Sequence, residues 1–159
     1  MNTKQADQIL EFLGRYNKHF SGLVGFLLEK QQKVLADDLL WLHDSLSEEQ
    51  RLAMAGASLE NKRLALLKEA GYENYTSSML LEVCPEEYKG RFKCEFVDME
   101  NSIDRIKKLN SDILETIEKK LAIAESYLRE QGAEEPGFYD GAGSKVRLGD
   151  PEEDIIGSV

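Results

Sequence analysis

Apolar positions recur at helical spacing through most of the chain. Ile9, Leu13, Tyr16, Phe20, Leu23, Leu27 and Val34 follow one another mainly at steps of three and four, the period that puts side chains on one helix face. A first amphipathic helix over about 5–35 follows. Ala36-Asp37-Asp38 interrupts it, and an Asp there can cap a following helix by accepting backbone N–H groups. The next pattern opens with Leu39, Leu42 and Leu46, blurs through Ser47–Ser58, and recovers at Leu59, Leu66 and Leu67 before Gly71, a residue suited to a helix C′ position. That predicts a second helix over about 38–70. Ser47-Glu48-Glu49-Gln50 can be a capping box opening a new helix or an exposed helical face, and the second reading is preferred.

Tyr72–Ser78 reads as a connector in which Thr76, Ser77 or Ser78 caps a short helix over about 78–84. Pro85-Glu86-Glu87 suits a helix start, with proline's fixed φ at the first position and acids at the positive end of the dipole. The longest element, about 86–131, then carries a seam: Phe92, Phe96, Met99, Ile103, Ile106, Asn110, Ile113, Ile117, Ala124 and Tyr127. Lys120 fails it and Leu121 covers the gap. Steps alternating four and three keep one stripe facing a partner helix, as in a coiled coil. At 1.5 Å per residue this helix spans ~70 Å, more than a compact bundle needs. The expected fold is therefore all-α: an elongated antiparallel helical bundle or coiled coil of three long helices plus a short one, with part of the long stripe uncovered. Asn110 in the seam reads either as an internal register lock or as a contact to a bound helix.

Composition separates a helical body, 1–131, from a Gly-rich flexible tail, 132–159. The tail holds six of the 12 glycines and two of the 3 prolines, which argues against a helix. It also splits the charge. The whole chain of 159 residues has 30 acids against 20 bases, a net of −10. Seven acids and two bases fall in the tail, leaving 23 acids and 18 bases, so each part carries −5. An acidic balance argues against nucleic acid and anionic membranes, which need a basic face. The start lacks a signal-peptide pattern, and the apolar run Val24–Leu28 is far too short to cross a bilayer. Membrane insertion is not expected. Cys84 and Cys94 form no metal-ligand pattern and read as free thiols, which fits a cytoplasmic setting.

No catalytic machinery is legible. His19 and His43 lack the Glu-x-x-His spacing of a di-iron bundle, and no phosphate-binding loop or nucleophile motif occurs. Neighbouring acids such as Asp37/Asp38 and Glu48/Glu49 diverge by about 100° on a helix, so they read as caps and solvated faces. Trp41, between Leu40 and Leu42, reads as core. No enzyme, metal or cofactor is expected.

Two segments, with the helix plan around them, resemble the FlgN family of flagellar export chaperones. Ile106-Lys-Lys-Leu-Asn-Ser-Asp-Ile-Leu-Glu115 is similar to the family's leucine–asparagine signature midway along its long last helix, although Ile113 stands where a second asparagine is often found. Glu135-Pro-Gly-Phe-Tyr-Asp-Gly-Ala-Gly143 is similar to its tail motif of an apolar residue and tyrosine followed by glycine. The resemblance covers about residues 5–143. It implies a type III secretion chaperone that binds the C-terminal amphipathic helices of the hook–filament junction proteins FlgK and FlgL. Met99, Ile103, Ile106, Leu109, Asn110, Ile113, Ile117 and Leu121 are then the client-facing or groove-forming positions, or simply internal core. It further implies that Phe138 and Tyr139 engage the export gate protein FlhA. A structural coiled-coil adaptor without client specificity is the alternative, and an uncovered seam also allows a homodimer when free.

Overall fold

The computed structural model describes residues 1–131 in full and, beyond them, the backbone pairing of 138–139 with 145–146. It is an all-α helical bundle in which five helices carry the described fold: α1 (Thr3–Leu35), α2 (Leu39–Asp44), α3 (Leu46–Glu69), α4 (Ser77–Val83) and α5 (Glu86–Glu130). None is long and apolar enough to cross a membrane. The chain divides into two compact units, Met1–Glu118 and Lys119–Val159. In the second, strands β1 (Phe138–Tyr139) and β2 (Lys145–Val146) pair antiparallel.

The helix ends follow from local chemistry. Asn2 and Gln5 close a reciprocal capping box, with the Gln5 N–H donating to Asn2 Oδ1 at 2.8 Å and the Asn2 N–H to Gln5 Oε1 at 3.0 Å. Two otherwise orphaned donors are satisfied, so α1 opens at Thr3. At its other end Asp37 takes φ 56°. The Asp38 N–H reaches back to the Lys33 carbonyl at 3.0 Å, the wrap of a Schellman ending, with Asp in the position glycine usually fills. Asp38 in turn caps α2 by accepting from the Trp41 N–H at 3.1 Å. Gly71 ends α3 in the same way, at φ 81° with the Tyr72 N–H on the Leu67 carbonyl at 2.7 Å.

The single helix expected over 38–70 is divided at Ser45. Its hydroxyl donates to the Leu42 carbonyl at 3.0 Å, an acceptor that the Leu46 N–H would otherwise use, and ψ flattens to −12°. Local side-chain bonding of this kind competes with the helical ladder. Glu48 and Glu49 then go to different partners, Arg51 and, at 2.7 Å, Lys30 of α1.

Within Met1–Glu118 the packing forms two apolar clusters. The first joins Ala6, Ile9, Leu10 and Leu13 of α1 to Leu67 of α3, Leu80 of α4, Cys84, and Phe92 and Phe96 of α5. The second joins Val24, Leu27 and Val34 of α1 to Leu109 and Ile113 of α5. Early α1 therefore meets early α5, and late α1 meets later α5, so these two run parallel. Tyr16 bonds Glu60 and Lys30 bonds Glu49, so α3 returns antiparallel to α1. Trp41 is half-buried and not core; its ring lies 6.0 Å from Phe26, with Lys33 Nζ 5.8 Å from the centroid. Cys84 is buried and Cys94 exposed, both as free thiols.

Candidate functional site

The clusters leave a gap between them. On α1 the buried positions stop at Leu13 and resume at Val24, on α3 they are only Leu52 and Leu67, and on α5 they jump from Phe96 to Leu109. Against the first cluster, and extending from it into that gap, lies a cleft of about 390 Å³ between α1, α3, α4 and α5. Phe12, Tyr16 and Phe20 ladder along one wall at i, i+4 and i+8, with ring centroids 5.6 and 4.7 Å apart. Leu66, Phe96, Met99 and Ile103 face them, and Thr76 and Ser77 at the start of α4 also line the cleft. A concave, mainly apolar site with a few polar groups is the usual form of a binding pocket.

The polar groups are organised. Arg63 grips Glu60 with two parallel bonds, Nε to Oε2 at 2.9 Å and Nη2 to Oε1 at 2.8 Å, and the Tyr16 hydroxyl donates to Glu60 Oε2 at 2.9 Å. The Arg63 bonds hold the Glu60 carboxyl below its ordinary range, and the Tyr16 bond adds to this. Burial, then the Glu60 bond, raises the Tyr16 phenol. On the α1–α5 contact, Asn17 Nδ2 donates to the Glu95 carbonyl at 2.9 Å and to Glu95 Oε2 at 2.7 Å, while its Oδ1 is buried with no partner among the described residues.

The triad gives α1–α3 packing a defined pH window. Glu60 is depressed on folding, so its contribution is present above the unfolded value near 4.5 and is lost as pH falls through the folded one. Tyr16 is raised, so its contribution is complete below the ordinary phenol value of 10.0 and is lost as pH rises through the folded one. Wild type is expected to exceed Glu60→Gln in urea midpoint at pH 7, with the gap closing in acid. A gap that is unchanged at pH 3 would contradict this.

The seam residues fall into three groups. Leu109 and Ile113 are buried against α1, with Ile106 and Ile117 packed beside them; these are internal. Met99 and Ile103 line the cleft. Leu121 is 57% exposed, and every residue from Leu121 to Glu130 is exposed. Asn110 is exposed as well, which overturns the internal register lock, since Leu109 takes the inward place. The side chains of Phe138 and Tyr139 lie outside the described residues. The sequence reading missed the Glu60–Arg63 fork, although their i, i+3 spacing was visible. It also missed Gly56, where a Cβ would stand 3.1 Å from His19 Nε2, so that the absent side chain makes room for an imidazole from α1.

A scan against family models matches none to this chain, and searches of curated proteins and of solved structures likewise match none.

Proposed function

We propose that this protein is a cytoplasmic chaperone of flagellar type III export, of the FlgN kind, acting by binding and without catalysis. It holds the C-terminal amphipathic helices of FlgK and FlgL until they are delivered to FlhA. The observation behind this reading is the last part of α5, where Leu121 and Leu128, seven residues apart on one face, are 57% and 48% exposed on a helix that continues to Glu130. Apolar side chains repeated on an exposed helix suit helix-in-groove capture, read as anchors at i, i+3, i+4 and i+7. An amphipathic client helix aggregates in water, and covering its stripe prevents that.

The test is to mix the protein with a peptide of the FlgK C-terminal helix and to follow mass by light scattering after size exclusion. A soluble complex of defined stoichiometry is expected. No complex at micromolar concentration would defeat the proposal. The same exposed stripe also suits a coiled-coil adaptor, which would self-associate through it and show no preference for the client helix.

For the tail, Tyr139→Ala is expected to weaken FlhA binding about tenfold or more, as loss of an aromatic anchor does, with client binding and melting temperature unchanged. Equal gate affinity of wild type and variant in calorimetry would remove Tyr139 from that role.

A further inference from the structure

We propose that the cleft between α1, α3, α4 and α5 is a second seat for the captured partner. In it, two neighbouring apolar side chains of an amphipathic helix enter beside Phe20 and Ile103, and Arg63 donates to a backbone carbonyl of that helix. This rests on the helix-capturing function proposed above and adds a site that the exposed end of α5 does not include.

Volume sets the first constraint. An apolar cavity of about 150 Å³ accommodates one benzene, so a cleft of about 390 Å³ has room for two large side chains, the number that one helix face presents at i and i+3 or i+4. Aromatic rings and Met99 line it, and such surfaces favour aromatic and branched apolar groups.

Charge sets the second. Arg63 uses Nε and Nη2 on Glu60, a fork that takes two of the five guanidinium N–H donors and does not involve Nη1. A donor therefore stands ready at a cleft whose charge is already balanced by the Glu60 carboxylate. An anionic head group would meet that carboxylate at close range, so the acceptor that fits is neutral. The last turn of a helix supplies it, because its final carbonyls have no partner within the helix and carry the negative end of the dipole. A fatty-acid-like ligand matches the apolar walls but not the neutral mouth.

The experiment uses the full chain and a FlgK C-terminal peptide bearing one benzophenone on its apolar face, with irradiation followed by peptide mapping. Label is expected on the cleft walls, at Met99 and on α1 between Phe12 and Phe20. Ile103→Trp, which fills the cleft, is expected to weaken the peptide about tenfold while the melting temperature holds. Label confined to 119–130, with Ile103→Trp binding as wild type, overturns the cleft assignment and leaves the chaperone reading standing. No binding to wild type overturns both. Sodium decanoate displacing the peptide from wild type but not from Arg63→Ala would also overturn the proposal, in favour of an anionic amphiphile.

Discussion

Phe92→Ala is expected to destabilise the protein by about 3–5 kcal/mol, the range for deleting a large aromatic side chain from a packed core. Phe92 is 0% exposed, and its cluster draws on α1, α3, α4 and α5 at once. Removing the ring leaves a hole that no one element can close without dragging the others, and incomplete collapse is what makes such deletions costly. Against a total stability of about 5–15 kcal/mol, a large share of the fold depends on this ring. Phe96, whose centroid lies 5.8 Å away, borders the existing cleft, so Phe96→Ala opens onto space already present and is expected to cost less. Urea unfolding of both variants checks the order. A Phe92→Ala loss below about 0.5 kcal/mol, the level of an ordinary surface change, would mean that the ring does not join the four helices.

What made the fold legible was long-range periodicity backed by local stop signals. The apolar face of α1, the start of α5 after Pro85, the cap at Asp38 and the ending at Gly71 each have a cause that can be read within a few residues. Ser45 does not: its hydroxyl can bond Leu42 or point to water, and only packing around α2 decides. Asn110 shows a different failure. Steps alternating four and three reach Asn110 after Ile106, but two successive steps of three reach Leu109. Burying a leucine needs no hydrogen-bond partner, whereas burying an amide costs free energy unless one is supplied. The stripe therefore turns to Leu109 and meets Val24, Leu27 and Val34. The cleft was half legible. Tyr16, Phe20, Met99 and Ile103 all stood out as stripe residues, but spacing along single helices does not reveal that the facing residues fail to fill the middle. That depends on α4 being only seven residues long, with buried contact supplied through Leu80 in the first cluster alone.

The double variant Leu121→Glu with Leu128→Glu is expected to lower affinity for the FlgK C-terminal peptide by about 100-fold or more while leaving the fold intact. Seven residues apart, the two positions share one face of α5. Each leucine buried in a complex contributes about 1.5–3 kcal/mol, and two at the lower end give about 3 kcal/mol, which is already about two powers of ten in Kd. The new carboxylates add to the loss because they would be desolvated opposite an apolar client. In the free protein both positions are exposed, and glutamate is nearly as good a helix former as leucine, so stability should stay within about 0.5 kcal/mol per site. Calorimetry and thermal melting on the same samples separate the readings. Unchanged affinity would show that the client does not use this end of α5, and a parallel fall in melting temperature would show that these leucines serve the fold. For a self-associating adaptor the same substitutions would instead turn an oligomer into a monomer, visible by light scattering without any client present.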